Sequence, residues 1–422
     1  MRAAVHNLGC KVNAYEADRI RKALRKAGFV LVPFEEEADV YVVNTCTVTN
    51  IADRKSRQML HRARKLNPQA LIVAAGCYAE VTDAQTEPDT ADLWLTNAEK
   101  ADPAEPILRA LAERGIEQDA PDDELSDKPV HENVRVFVKI QDGCRQFCSY
   151  CIIPYARGPL KSRPVESVAE EIEALAAEGI KEVVLTGIHL SSYGLDQGFR
   201  AGEALLDLLD RLDEIPGLAR IRLGSLEPRL ITEEFAERLA RHSRLCPHFH
   251  LSLQSGCAKT LKAMNRHYTP EQYLEVLSIL RSRFDTPAIT TDVICGFPGE
   301  SEEDFEETCR FVRQAGFYEL HAFPYSRRKG TKAAAMPDQL TDRMKRERAG
   351  RMIAIGEELR QAYEASFIDR SVELLTEEII ETEEGRFFVG HTAQYIRAMV
   401  PAEGHEPNEL VTGVFGSGGL IR

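Results

Sequence analysis

Apolar residues in the first third of the chain fall in short blocks at Arg2–Leu8, Asp39–Val43, Ala70–Ala74 and Leu93–Leu95. Blocks of this length read as strands. Between them, Glu16–Ala27 and Ala52–Leu66 carry helical periodicity. In the second, Met59, Ala63 and Leu66 recur at i, i+4 and i+7 and mark a buried face. Strand–helix alternation predicts a parallel sheet with helices packed on it. Gly115 to Asn133 is acidic, proline-containing and poor in apolar residues, as an inter-domain linker is.

From Val134 a second alternating series begins. Its candidate strands are Val134–Ile140, Glu182–Thr186, Arg220–Gly224, His248–Leu253, Ala288–Ile294 and Tyr318–Phe323. Thr269-Pro270-Glu271-Gln272 supplies an N-cap, a first-turn proline and a capping-box glutamine. Ser301 offers a second cap, followed by acids in the first turn. Six such units fit a partial (β/α)6 barrel better than a full eight-unit one; an open doubly wound sheet is the alternative. A long helix covers roughly Asp342–Phe367. Short strand-like runs follow at Ser371–Leu375, Arg386–Gly390, Tyr395–Val400 and Glu409–Phe415, as in a small antiparallel barrel. The expected fold class is therefore α/β. It has an N-terminal open parallel sheet domain (1–115), a linker (116–133), a partial barrel (134–365) and a small C-terminal β-barrel (366–422).

The 422 residues are 43% hydrophobic and 28% charged, a globular composition with no apolar run near a membrane span. The start, MRAAVHNLGCKVN, lacks the apolar core of a signal peptide, so a cytoplasmic protein is expected. A net charge of −14 argues against coating nucleic acid through bulk charge, although it leaves room for a local basic groove. Ten cysteines in a reducing compartment point to metal or redox work rather than a disulfide framework.

Cys144, Cys148 and Cys151 lie within DGCRQFCSYC, spaced C-x3-C-x2-C. Zinc sites usually close four ligands from two paired cysteine units. Here three thiols share one loop, with no fourth Cys or His in the next 35 residues. Three thiolates suit a cubane iron–sulfur cluster with one iron left open. The alternative is three ordinary thiols or an incomplete zinc site. Cys10, Cys46 and Cys77 each stand just past an apolar strand. Carboxyl ends of parallel strands share one edge, so these cysteines converge in space if the sheet is parallel. Gly9 and Gly76 precede two of them and allow close backbone approach. That suggests a second three-thiolate site; three buried core cysteines are the plainer alternative. Cys246, Cys257, Cys295 and Cys309 share no spacing and read as structural thiols.

DGCRQFCSYC resembles the signature of the radical S-adenosylmethionine (SAM) superfamily, with Tyr150 as its aromatic residue. NLGCKVN, NTCTVTNIADRKSRQ, VVLTGIHLSSYG, RLGSLEP, LSLQSG, MNRHYT, TDVICGFPGE and HAFPYSRRKGT narrow the resemblance to the methylthiotransferase family. These stretches run through nearly all of the chain ahead of the long helix. LGCKVN looks like the branch acting on N6-threonylcarbamoyladenosine (t6A) at position 37 of tRNA, giving the 2-methylthio product.

The resemblance implies a radical-SAM barrel, a C-terminal TRAM-like RNA-binding module, two [4Fe–4S] clusters and SAM as radical source and methyl donor. It implies that the cluster on Cys144, Cys148 and Cys151 generates the radical, and that the one on Cys10, Cys46 and Cys77 carries the sulfur. Thr186 and Gly187 would lie against the methionine amino group. Glu227 and Gln254 would reach the ribose or amine, and Arg266 the carboxylate. Asp292 stands near the end of strand five. Each of these has a capping or network role as its plainer reading. Implied partners are t6A-bearing tRNA and an electron donor such as flavodoxin or ferredoxin.

Candidate RNA contacts are the stripe Arg54, Arg57, His61 and Arg64, with Lys55, Arg62 and Lys65 beside it, and the run Ser326–Lys332. The C-terminal module departs from the basic character of RNA binders, with ten Asp or Glu against four Arg from Ser366 onward. There Phe387, Phe388, Tyr395 and Arg397 either stack on RNA or belong to the core. Competing readings keep the chemistry on another substrate (isopentenyladenosine in tRNA or a ribosomal-protein aspartate), or make the chain an iron–sulfur carrier. A zinc-dependent RNA binder fits the cysteine spacing and charge less well.

Overall fold

The computed structural model describes all residues except 83–85, 88, 117–133 and 422. The acidic stretch at 116–133 lies outside the described residues from 117 onward. The chain divides into two compact units. The first holds the N-terminal region together with Gly143–Pro159 and Ser326–Thr331, and the second holds the remainder.

The first unit is built on five parallel strands: β1 (Arg2–Asn7), β2 (Val30–Leu31), β3 (Val40–Thr45), β4 (Leu71–Gly76) and β5 (Leu93–Leu95), in the order β2-β1-β3-β4-β5. β3 and β4 are buried along their whole length. A strand covered on both faces needs no polar alternation, hence the unbroken runs VYVVNT and LIVAAG. Side chains still alternate between faces. Ala3, Val5, Val40 and Val42 pack with Ala17, Ile20 and Leu24 of helix Lys11–Lys26. Ala4, Tyr41, Val43 and Ile72 pack with Leu60 and Ala63 of helix Asn50–Leu66. That helix buries Ser56, Leu60 and Ala63, with Met59 and Leu66 half-buried at the margin, so its inner face is rotated slightly from the expected one. The two-residue β2 is too short to carry a periodic signal.

In the second unit six parallel strands follow in chain order: β6 (Arg135–Asp142), β8 (Glu182–Gly187), β9 (Arg220–Leu223), β10 (His248–His250), β11 (Ala288–Cys295) and β12 (Glu319–Pro324). Parallel bridges Ile221–Leu245 and Leu226–Leu251 join the two runs of strands between β9 and β10. A short antiparallel strand, β7 (Lys161–Ser162), flanks β6. This is the expected partial barrel, curled and open. Both capping boxes form, at Thr269 with Gln272 and at Ser301 with Asp304.

Helix Asp342–Ala365 leads into an antiparallel sheet of β13 (Ser371–Thr382), β14 (Gly385–Thr392), β15 (Arg397–Pro401) and β16 (Leu410–Val414), ordered β15-β14-β13-β16. Among the described residues no helix is long and apolar enough to cross a membrane.

A buried charge cluster fastens this small sheet to the barrel. Register places Arg135, Glu182 and Arg220 in one row at the amino ends of β6, β8 and β9. Glu182 and Arg222 are wholly buried and ion-paired at 2.8 Å. Arg222 also donates to the carbonyls of Thr392 and Ala393, and Arg220 to those of Glu373 and His391. Tyr395 lies between His248 and His391, stacked at 4.8 and 4.5 Å. The Arg135 and Arg222 guanidiniums sit over its ring at 5.1 and 4.9 Å. Phe387 and Phe388 are buried, and Arg397 pairs with Glu378. Three of the four candidate RNA contacts in the C-terminal module, Phe387, Phe388 and Tyr395, are thus core or clamp.

Burial alone would raise the Glu182 pKa, but Arg222, aided by Arg135 and Arg220, holds it below its ordinary 4.5. Its stabilisation is therefore complete above that value and is lost as pH falls through the folded pKa. Glu182→Gln should cost about 3–5 kcal/mol in urea unfolding at neutral pH, because it leaves buried guanidiniums uncompensated. It should also flatten the acid-side fall in stability; an unchanged profile would show the cluster to be idle.

Candidate functional site

Parallel pairing of β1, β3 and β4 carries Cys10, Cys46 and Cys77 to one edge of the sheet. Cys10 caps helix Lys11–Lys26, Cys46 follows β3, and Cys77 opens the short helix after β4. A side chain on Gly9 would come within 2.9 Å of the Cys46 sulfur. Burial pushes the Cys46 thiol up to about 11, and the Cys77 and Cys10 thiols add to the rise. The three sulfurs are therefore near enough to feel one another. Ser56 Oγ accepts from Cys46 N at 3.2 Å and donates to Cys46 O at 3.0 Å, fixing that turn.

Cys144, Cys148 and Cys151 sit on the loop that follows β6 in the chain. Cys144 N donates to Gly158 O at 3.3 Å and Cys151 N to Cys148 O at 2.9 Å, closing the loop on itself. All three thiols are partly accessible. Gly143 is required here: its φ is +69°, and a Cβ would lie 1.9 Å from Pro159 O. Phe147 adopts φ 48°, and its exposed ring meets the exposed Tyr155 ring edge-on at 6.0 Å. Among the described residues no three His, Cys, Asp or Glu side chains converge as a single metal ion requires. Ligands of a cubane are spread over its corners and need not converge so tightly.

Both cysteine sets belong to the first unit, and the segment carrying one set reaches the other. Arg157, six residues after Cys151, is buried and donates its Nε–H to the Cys77 sulfur at 3.0 Å. Its two terminal nitrogens bond Glu16 at 2.6 and 3.1 Å and Asn13 Oδ1 at 2.5 Å. Lys100 pairs with the same Glu16 at 2.7 Å. Two cations thus face one carboxylate, and a thiolate at Cys77 would make the group neutral. Burial is the largest effect on the Cys77 thiol and raises its pKa on balance, although Arg157 and Lys100 pull against it. The Nε–H donor and the two nearby cations suit a sulfur whose negative charge is shared with a metal, not a free thiolate. The strap Ser326–Thr331 performs a similar service beside Cys46. Arg328 bonds Asp53, Asn50 and Thr47 at 2.5, 2.7 and 2.8 Å, so it is a structural cation rather than a free contact for phosphate. In the helical stripe Arg57 bonds Tyr78, Arg64 pairs with Asp92 and Arg62 with Glu35, while Arg54, Lys55, His61 and Lys65 stay exposed.

The other six expected residues are in the second unit: Thr186, Gly187, Glu227 and Gln254 at or just past the carboxyl ends of β8, β9 and β10, Asp292 within β11, and Arg266 after helix Ala258–Ala263. Thr186 and Gly187 end β8. A Cβ on Gly187 would lie 2.9 Å from Gln141 Oε1, and that oxygen also accepts from His189 N at 2.7 Å. Glu227 accepts from His189 Nε2 and Arg229 Nε, both at 3.0 Å. Burial works against its charge, yet the His189 bond and the nearby Arg266 and Arg229 bring its pKa down to about 2. Gln254, at φ 68°, bridges β11 by N–H to Asp292 O (2.8 Å) and C=O from Ile294 N (2.9 Å). Arg266 lies against Tyr268 and bonds Ser252 O. The Asp292 carboxylate meets His250 Nε2 at 3.4 Å. Anionic and cationic side chains with a bare glycine segment suit the zwitterionic end of an amino-acid ligand. His189, Gln141 and Arg157 went unseen in the sequence because each bonds a partner far away in the chain. Arg328 reads there only as part of the basic run, with no sign of its partners Thr47, Asn50 and Asp53. Cys246, Cys257, Cys295 and Cys309 are all buried.

The model of the Radical SAM superfamily matches residues 138–312, and that of Uncharacterized protein family UPF0004 matches residues 2–96. Threonylcarbamoyladenosine tRNA methylthiotransferase MtaB of Bacillus subtilis is 40% identical over 411 residues, covering 94% of this chain and 89% of that protein. The MtaB of Aquifex aeolicus is 39% identical, covering 86% and 90%. The tRNA-2-methylthio-N(6)-dimethylallyladenosine synthase of Caldicellulosiruptor saccharolyticus is 36% identical, covering 87% and 80%. The solved radical SAM methyltransferase TsrM of Kitasatospora setae, with cobalamin and a [4Fe-4S] cluster bound, shares the fold at TM-score 0.56 and 18% identity, covering 79% of this chain and 77% of its own. The chain belongs to the radical SAM tRNA methylthiotransferase family.

Gly76, at φ +92°, leaves no room for a side chain, since a Cβ would fall 2.5 Å from Thr45 O. Gly76→Ala should lower stability by about 1–3 kcal/mol in thermal unfolding. It should also cut iron loading at the adjoining cysteine; unchanged stability and loading would mean that the β4 turn is not constrained.

Proposed function

We propose that this protein is a radical SAM tRNA methylthiotransferase that converts t6A at position 37 of tRNA to 2-methylthio-t6A. The observation that carries the reading is the gathering of two separate cysteine triads in one compact unit. The choice of t6A follows relatives named for that nucleoside, at 35–40% identity. Domains at 1–115, 134–365 and 366–422 would act as methylthiotransferase, radical SAM and TRAM-like parts of a cytoplasmic enzyme.

Cys144, Cys148 and Cys151 would hold one [4Fe–4S] cluster, and Cys10, Cys46 and Cys77 a second. Bound there with SAM, the clusters supply a radical able to take hydrogen from an aromatic carbon and a site that carries sulfur. No side chain could do that work as a base, because an adenine C2–H is not acidic at neutral pH. The chain's own task is positioning. Glu227, kept anionic by His189 and Arg229, would hold the SAM ammonium or ribose, and Arg266 its carboxylate. Thr186 and Gly187 would offer backbone to the amino group, while Gln254 and Asp292 close the bed. Exposed Arg54, Lys55, His61 and Lys65 would meet tRNA phosphates. A flavodoxin or ferredoxin would deliver electrons.

Glu227→Gln should weaken SAM binding about ten- to a hundredfold by calorimetry on reconstituted protein, the scale of one charge-assisted bond; equal affinity would remove Glu227 from the bed. The reading as a whole is tested with reconstituted protein, SAM, a reductant and tRNA bearing t6A, followed by nucleoside mass spectrometry. A 2-methylthio-t6A product is expected. Product on isopentenyladenosine alone, or none on any tRNA, would overturn the substrate.

A further inference from the structure

Arg157 has no place in the functional reading so far, yet it is among the most constrained side chains in its unit. Its side chain is fully buried, and Glu16, Asn13 and the Cys77 sulfur bond it at the N-terminal cysteine site. It comes from the segment carrying Cys144, Cys148 and Cys151, and it contacts a sulfur of the other triad. Glu16 and Asn13 take the two terminal nitrogens, which orients the guanidinium plane and leaves Nε to point at Cys77. Asn13 is itself fixed, donating to Leu8 O at 2.7 Å and Thr45 O at 2.8 Å beside Cys10 and Cys46. Lys100 bonds the same Glu16 at 2.7 Å, so the carboxylate is gripped from both sides and cannot swing away from Arg157.

A guanidinium so placed exceeds what packing demands. Burying Arg157 against Glu16 alone would be a poor route to stability, since desolvation offsets most of the attraction. The third donor, aimed at sulfur, suggests a reason for accepting that cost. An N–H bond and a positive charge at a ligand sulfur favour the more negative, reduced state of an iron–sulfur cluster.

We propose that Arg157 is a positioning residue for Cys77, holding its sulfur in the ligating orientation and raising the reduction potential of the cluster on Cys10, Cys46 and Cys77. The proposal rests on the reading of those three cysteines as cluster ligands. It also makes the radical-SAM loop a structural part of the second cysteine site.

The test uses the full chain with Cys144, Cys148 and Cys151 all replaced by Ala, reconstituted with iron and sulfide, so that one cluster remains. Potentiometric titration followed by electron paramagnetic resonance then compares Arg157 with R157Q and R157K. R157Q removes the charge. R157K keeps charge for Glu16 but cannot reproduce the three-way fork. The expected result is a more negative potential in both. In R157Q the reduced-to-oxidised ratio at a fixed potential should fall about tenfold, which is 59 mV for a one-electron couple. Equal potentials in whichever variant folds and binds iron would overturn the role of Arg157 alone. Loss of iron from R157Q but not R157K, with unfolding unchanged by circular dichroism, would support the orienting role. Absence of iron in the parent itself would remove the second cluster and the inference with it.

Discussion

Three parallel strands ending side by side are the constraint on which the cysteine unit depends. β1, β3 and β4 are neighbours in one sheet, and a thiol follows each carboxyl end. Residues 36 and 31 positions apart in the sequence meet only because the pairing is parallel and in register. An antiparallel β3 would send Cys46 to the opposite edge. The tight turns after β1 and β4 follow from the same demand. Gly9 and Gly76 leave room for Cys46 and for the Thr45 carbonyl, space that any side chain would take.

Both units hold distant segments together with buried guanidiniums that carry several hydrogen bonds each. In the first, Arg157 and Lys100 close on Glu16, and Arg328 closes on Asp53. In the second, Arg220 and Arg222 close on Glu182 and on carbonyls of the small sheet. Arginine suits this because its fork can satisfy a carboxylate and a carbonyl at once. Removing one partner from such a cluster is costly, whereas the intact cluster adds little net stability. Their value lies in fixing which segments meet. At the barrel this means that the small sheet is held at the amino ends of the strands, leaving the carboxyl ends to Glu227, Arg266 and their neighbours.

The periodicity of the chain made most of this architecture legible. Four of the six barrel strands begin at the expected residue, and the other two, β6 and β12, begin one residue late. The C-x3-C-x2-C spacing singled out one triad, and the place of Cys10, Cys46 and Cys77 just past three apolar strands singled out the other, which parallel pairing brings to one edge. What stayed hidden were contacts between side chains far apart in the sequence. Nothing around Arg157 marks it as a partner of Cys77, and SRRKGTK read as a basic run although Arg328 is enclosed. Tyr395 read equally as a stacking platform or as core; its contacts with His248 and His391 join residues 147 and 4 positions away, of which only the second is local. Charge along a sequence does not say which charges are already paired.

The central claim is that this one chain holds two clusters, one on each triad. Mössbauer spectroscopy with iron counting on the anaerobically reconstituted wild-type protein tests it most directly, beside a variant in which Cys10, Cys46 and Cys77 are all Ala. The account predicts about eight irons per chain as two cubane signals, falling to about four in the variant. About four irons in both proteins would contradict it and return Cys10, Cys46 and Cys77 to the sheet as ordinary thiols.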